Sequence, residues 1–386
     1  MTGIVIPDGG TIGSASDTDA ISISSSGAVT LSSDFVPSTP LSHRNLIING
    51  AMQVAQRGTS HTGVSATGYQ LDRFQITLQG LGAYTITQST TAPTSEGFAQ
   101  SYKIDCTTAD ASPASTDFFF ISHKMEGQNL QQLRKGTSSA KSVTLSFWCR
   151  CTKTGNIQVN LYDWDNGRII GQAVSINSAD TWEYKTLTFA GDTSGILGND
   201  NGASLVLEWW LDKGSNFSGG AVPTSWEALN NADRAAGCTL ALGDSTSNDF
   251  YLTGVQLELG SVATPFEHRS YGEELRRCLR YYYRHAPVST YTGYLVTSAY
   301  SSTASRGSYI LPEIMRALPT FANSGSFQSV TGVSIANGDI YAADSGGHHN
   351  VTIHVNVTDS GVGVGYSWHI RAANDNTAYW EFTAEL

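Results

Sequence analysis

"KSVTLSFWCRC" (residues 141–151) and "GNIQVNLYDWDNG" (155–167) decide the fold. In the first, Val143, Leu145, Phe147, Cys149 and Cys151 occupy every second position; in the second, Ile157, Val159 and Leu161 do the same. Successive side chains of an extended strand point to opposite faces, so a period of two puts each apolar set on one buried face. "SLVLEWWL" (204–211) repeats the pattern with Leu205, Leu207 and Trp209. Clusters such as "DNG", "GDTSG" and "GNDNG" separate these runs and supply the turns that antiparallel strands require. From Asn45 to Arg269 strand follows strand, which predicts an all-β antiparallel sandwich, with a closed barrel as the alternative.

A chain of 386 residues is long enough for two or three domains that each bury a core. Only 14% of residues are charged and the formal net charge is −11. That field repels phosphate backbones, and no zinc-finger, RNA-recognition or basic-helix signature appears, so nucleic acid is not an expected partner. Cys106, Cys149, Cys151, Cys238 and Cys278 match no zinc-site spacing and read as buried free thiols. The first residues lack the basic start and apolar run of a signal peptide. Nowhere do the roughly 18 apolar residues of a spanning helix occur together, so no membrane insertion is expected.

Residues 1–41 are rich in Ser, Thr, Gly and Asp, but "AISISSSGAVTLS" (20–32) sets Ile21 and Ile23 against Val29 and Leu31 around a Ser/Gly turn. This is a small hairpin with one thin apolar face. Three copies would bury that face against each other, so the segment reads as an assembly stalk; a disordered tail is the alternative. At the other end of the sandwich, "FYLTGVQLELG" (250–260) is a strand and Pro265 prevents its continuation. "SYGE" (270–273) is then a capping box that opens a helix with Leu275, Cys278, Leu279 and Tyr282 on one stripe. Beyond His285 the β-pattern resumes. The organisation expected is therefore a stalk over 1–41, a sandwich over 42–269, a connecting helix over 270–289 and a smaller β-rich tip over 290–386.

"NLIINGAMQVAQRG" (45–58), "LDRF" (71–74), "ADTWEYKTLTFAGDTSG" (179–195), "FYLTGVQLELGSVATPFEHRSYGEELRRCLRYY" (250–282), "LPEIMRALPTF" (311–321) and "WEFTAEL" (380–386) resemble tail-fibre or receptor-binding proteins of bacteriophages. Some members of that group carry a central jelly roll like those of carbohydrate-binding modules. "GTIGSASDTDAISISSSGAVTLS" (10–32) resembles the short repeats by which such fibres trimerise. The resemblance implies a homotrimer on the virion, joined through its N-terminus to a tail or baseplate protein. The distal end would contact polysaccharide or lipopolysaccharide of the host surface and mediate adsorption without catalysis. A tailspike-like glycan hydrolase and a purely structural head or neck appendage are the alternatives.

Sugar recognition needs an aromatic plane for C–H faces and nearby amides or carboxylates for hydroxyls. With Ile157, Val159 and Leu161 inward, Asn160, Tyr162 and Trp164 face the other way. Trp182, Tyr184, Trp210 and Trp226 are further candidates, and the competing reading for each ring is core or interface filling. In the tip, "SAYSSTASRGSY" (298–309) offers Tyr300 and Arg306, and "DSGGHHN" (344–350) offers His348 and His349. Ile21, Ile23, Val29 and Leu31 in the stalk and Leu275, Leu279 and Tyr282 in the helix are the trimer-interface candidates. No cofactor is required; the resemblance brings calcium, for which Asn49, Gly50 and Glu258 would be the oxygen donors. Glu258 would alternatively pair with Arg57 or Arg73. "GDS" (243–245) matches an esterase triplet only by letter, and Asp163 with Asp165 is the carboxylate pair a hydrolase would need.

Overall fold

The period-two segments form strands throughout. The computed structural model describes residues 11–14, 16–31, 42–329, 334–336, 340–345, 352–358 and 367–386. The chain divides into two units, Met1–Arg44 and Asn45–Leu386.

In the first unit β1 (Thr11–Ser14), β2 (Asp17–Ile23) and β3 (Val29–Leu31) form one antiparallel sheet in that order. Ile12 lies opposite Ile21, Ile21 opposite Leu31, and Ile23 opposite Val29. Thr11, Ser22 and Thr30 form the alternate row. The hairpin expected from the sequence is present, and its aliphatic side chains share a single face, with Ile12, Val29 and Leu31 exposed. The β2–β3 turn closes through Gly27 at φ 80°, a conformation that glycine adopts without strain.

The second unit opens with a jelly-roll sandwich. Its strands are β4 (Ser60–Val64), β5 (Gly68–Leu71), β6 (Phe74–Gln79), β7 (Ala83–Ser89), β8 (Ser101–Thr108), β9 (Phe118–Glu126), β10 (Val143–Cys151), β11 (Gly155–Asp163), β12 (Arg168–Ile176), β13 (Glu183–Phe189), β14 (Ala203–Lys213), β15 (Glu227–Ala228) and β16 (Asp249–Leu259). A six-stranded sheet runs β13-β10-β16-β8-β7-β4, and a seven-stranded sheet runs β15-β12-β11-β14-β9-β6-β5. Their inner faces meet in one core. Leu145, Phe147, Cys149 and Cys151 come from one layer and Ile157, Val159, Leu161, Leu207 and Trp209 from the other, as the alternation predicted. The Phe147 and Trp209 rings meet edge to face across the layers at 6.0 Å. All five cysteines are free and buried.

The outer face of the seven-stranded sheet is covered. After β14 the chain makes an excursion over residues 214–241 that lays Ala235 and Cys238 on Phe120 and Trp210. Beneath it, Asn160 donates to the Arg234 carbonyl and to Glu208, and the Trp210 indole N–H donates to Glu208 at 2.8 Å. Arg234 closes the network on the other Glu208 oxygen. Asn160 and Trp210 are thus fully buried, which corrects their reading as sugar-facing residues. Period two placed Asn160 on the outer face correctly; only the covering segment makes that face interior.

The helix α1 (Tyr271–Leu279) starts where the capping box predicts, with the Ser270 hydroxyl accepting the Glu273 N–H at 3.3 Å. It is shorter than its apolar stripe implied. Tyr282 belongs to the next strand and is buried within its own chain, which corrects its reading as a helical trimer contact. Leu275 and Leu279 are half-buried.

The tip contains β17 (Tyr282–His285), β18 (Gly293–Ala299), β19 (Ala304–Ile310), β20 (Thr320–Ser324), β21 (Phe327–Ser329), β22 (Ser334–Ile335), β23 (Ile340–Ser345), β24 (Thr352–Thr358), β25 (Ser367–Ala372) and β26 (Tyr379–Thr383). A three-stranded sheet, β17-β26-β20, packs Trp380 and Phe382 against Tyr309, Val355 and Ile370 of the seven-stranded sheet β22-β21-β25-β18-β19-β24-β23. Buried charge ties the tip to the sandwich. Glu385 takes both Arg57 and Arg73, whose guanidinium groups lie 3.5 Å over the rings of Tyr282 and Tyr281. Arg280 forks onto the buried Glu126 with both contacts at 2.8 Å.

Candidate functional site

The outer face of the six-stranded sheet is covered at one end, where Thr144, Ser146, Gln256 and Glu258 are buried under residues 260–265, and accessible at the other, around Tyr184. Because Phe147, Cys149 and Cys151 point into the core, Trp148 and Arg150 on β10 point out. Trp148 lies opposite Tyr184 of β13, with ring centroids 5.2 Å apart. Two residues along, Arg150 lies opposite Tyr251 of β16, and Tyr251 opposite Lys103 of β8. Trp182, just before β13, brings its ring to 6.0 Å from Tyr251. The result is an aromatic platform across adjacent strands, Tyr184 and Trp148 on one side and Trp182 and Tyr251 on the other. Tyr184 is 46% exposed and Tyr251 only 7%, so the platform has an open end and a floor.

Charged groups edge it. Arg150 and Lys103 sit 5.1 and 5.7 Å from the Tyr251 ring centroid, and their charges are met by Asp180 at 2.9 Å and Asp249 at 3.1 Å. Asp105 lies opposite Asp249. Burial, a hydrogen bond with Asp249 and the charge of Asp249 push the Asp105 carboxyl up to about 6. Planes for C–H faces beside fixed donors and acceptors are the chemistry of sugar binding.

Trp182 and Tyr184, both candidates from the sequence, belong to this platform. Trp148 and Tyr251 were missed, although the alternation in "FWCRC" already turns Trp148 outward. Tyr162 and Trp164 form a separate pair at the rim of the seven-stranded sheet, 5.4 Å apart, where Trp164 is 56% exposed. Trp226 is structural: its indole N–H donates to the Ala190 carbonyl at 2.7 Å, and its ring lies 4.9 Å from the Lys135 ammonium. Tyr300 and Arg306 are exposed on the tip. His348 and His349 lie outside the described residues.

The oxygens expected for calcium accept hydrogen bonds from protein donors. Asn49 Oδ1 accepts the Val54 N–H at 2.9 Å, and the Gly50 carbonyl accepts the Val255 N–H at 2.9 Å. Both Glu258 oxygens are used: Oε1 accepts from Gln256 and from the Thr264 N–H, each at 2.8 Å, and Oε2 accepts from the Thr264 hydroxyl at 2.7 Å. Glu258 pairs with neither Arg57 nor Arg73, both of which meet Glu385. Asp163 and Asp165 do not converge on one space either. Asp163 is buried against Lys135 and Asn166, whereas Asp165 accepts the Gly198 N–H at 2.8 Å. Ser245 of the "GDS" triplet accepts the Ser247 N–H, and Asp244 pairs with Lys153.

No protein-family model matches the chain, and no curated protein does. Among solved structures it is similar to the enzymatically active domain of tailspike protein 4 from bacteriophage CBA120, at 10% identity and a TM-score of 0.30, over 56% of this chain and 21% of that one. It is also similar to a family 4 carbohydrate-binding module, at 11% identity and a TM-score of 0.28, over 55% of this chain and 98% of that one. A family 61 module in complex with β-1,4-galactotriose matches at 10% identity and a TM-score of 0.25, over 56% of this chain and 99% of that one. Likeness at this distance transfers no residue's role.

Proposed function

We propose that the protein is a phage tail fibre that adsorbs to bacterial surface polysaccharide or lipopolysaccharide by non-catalytic glycan binding. One observation carries the binding function: the aromatic platform of Trp148, Tyr184, Trp182 and Tyr251 on the six-stranded sheet. The phage context is supported by the sequence resemblance of the segments quoted above. In this reading the stalk sheet is completed by two further copies, which bury the aliphatic face that Ile12, Val29 and Leu31 leave exposed. The N-terminal region joins the particle at a tail or baseplate protein. Each platform binds weakly, and three per fibre on several fibres turn modest contacts into avidity.

The test is an array of purified bacterial lipopolysaccharides and capsular polysaccharides probed with the wild-type chain and with Trp148→Ala/Tyr184→Ala. Binding to a subset, reduced by about tenfold or more in the double variant at unchanged melting temperature, is the expected result. Equal binding by both proteins removes the platform from the function. Shortening of the bound polysaccharide on incubation would instead favour a hydrolase.

A further inference from the structure

The tip carries a second concavity with a different chemistry. On its seven-stranded sheet, Leu295, Thr297 and Ala299 of β18 and Ser305 and Tyr309 of β19 are buried. Val296, Ser298, Arg306 and Ser308 therefore face out. The register places Arg306 opposite Ser298 on one side and opposite Asn356 of β24 on the other. At the start of the β18–β19 turn, Tyr300 brings its ring to 5.7 Å from the Arg306 guanidinium. Together with Gly307 these residues line an open hollow of about 570 Å³. Gly307 lets the floor close, since a Cβ there would meet the Val296 carbonyl at 2.4 Å.

Arg306 is held by an uncharged partner. Its Nε donates to the buried Asn356 side-chain oxygen at 2.8 Å, which fixes the plane of the guanidinium with an uncharged partner. Among the described residues no carboxylate pairs with it, although the chain as a whole carries a net charge of −11. Elsewhere Arg57, Arg73, Arg150, Arg168, Arg234 and Arg280 each meet an acid. The remaining guanidinium edge is a fork that matches an oxyanion in bidentate geometry. Beside it stand a 55%-exposed Tyr300 ring and the hydroxyls of Ser298 and Ser308. An anion alone would not use the ring, and a neutral sugar would leave the fork unused.

We infer that this hollow on the tip binds an anionic sugar unit, its carboxylate or phosphate on the Arg306 fork, its ring face on Tyr300 and its hydroxyls on Ser298 and Ser308. The inference rests on the glycan-binding reading but places a distinct ligand class at a distinct site.

The experiment titrates the full chain, by calorimetry or NMR, with trigalacturonate, with its methyl ester, and with mannose 6-phosphate. The wild type is expected to bind at least one of the two anions about tenfold or more tightly than the neutral ester. Arg306→Ala should abolish that preference, Arg306→Lys should retain part of it, and Tyr300→Ala should weaken acid and ester alike. Arg306→Ala is expected to leave array binding through the platform and the melting temperature unchanged. A wild type with no preference for either anion, or an Arg306→Ala protein that keeps its preference, overturns the assignment while leaving the platform reading intact. Conversely, Arg306-dependent anion binding without any platform-dependent array signal supports this site and removes the other.

Discussion

Removal of Glu385 tests whether the tip is held on the sandwich by buried charge. The Glu385 side chain is 5% exposed and takes two arginines, Arg73 at 1% and Arg57 at 11% exposure. In Glu385→Ala the Arg73 guanidinium stays buried without its counter-charge, and Arg57 keeps only the nearby Asp72. Deleting one partner of a buried pair costs about 3–5 kcal/mol. The rings of Tyr281 and Tyr282 remain under the two cations at 3.5 Å and keep the loss within that range rather than doubling it. For the unit Asn45–Leu386, at about 2.1 cal/mol/K of unfolding entropy per residue, about 3–5 kcal/mol corresponds to a fall in melting temperature of roughly 4–7 °C. Differential scanning calorimetry with near-ultraviolet circular dichroism is the assay. Glu385→Gln, which keeps an acceptor, should lose less. Glu385→Ala combined with Arg73→Met should recover part of the loss, because an apolar replacement removes the stranded charge. A Glu385→Ala protein that melts within about 1 °C of wild type, or a double variant no better than the single one, would refute the reasoning.

The histidines predict an acid-sensitive fold. His123 is fully buried, and its Nε2 accepts the Ile48 N–H; burial and then the nearby Arg73 charge hold its pKa well below the ordinary value. His285, beside Tyr309, is shifted the same way by burial. The unfolded chain therefore binds these protons first, so stability is full near neutrality and falls below pH about 6.5, by about 1.4 kcal/mol per pH unit for each histidine that titrates only on unfolding. Urea titrations from pH 7 to 5 should show that slope reduced in His123→Gln. Asp105 acts oppositely, since its carboxyl, pushed up to about 6, takes its proton more readily in the folded state; Asp105→Asn should steepen the acid loss and stabilise the protein at pH 7. In the stalk, Leu31→Asp places a charge on the uncovered aliphatic face. Light scattering should find the wild type as a trimer and the variant as a monomer, and an unchanged mass would remove the face from assembly.

Much of the architecture was legible because β-strands write their faces into the sequence at period two. Phe147 and Cys149 inward imply Trp148 and Arg150 outward, and Ser270 with Glu273 marks the start of the helix. The extent of the apolar stripe misled at Tyr282, because a residue seven positions on continues a helical face only if the helix lasts that long. Here the chain turns into β17 at that point and pairs with β26. Platform membership was half visible: Trp182 and Tyr184 stood out by composition, whereas Tyr251 joins them only through cross-strand pairing.

By itself, the sequence determined the strand periodicity, the all-β class, the stalk hairpin and the side of each strand on which a residue lies, since these follow from local backbone geometry. Tertiary structure alone decided which outer face meets solvent. The 214–241 excursion seals Asn160 and Trp210 while the opposite face leaves Tyr184 exposed and Trp148 half-buried, and Glu385 reaches arginines more than three hundred positions away. Long-range contacts of this kind leave no periodic trace along the chain, because the residues that cover or neutralise one another are neighbours only after folding.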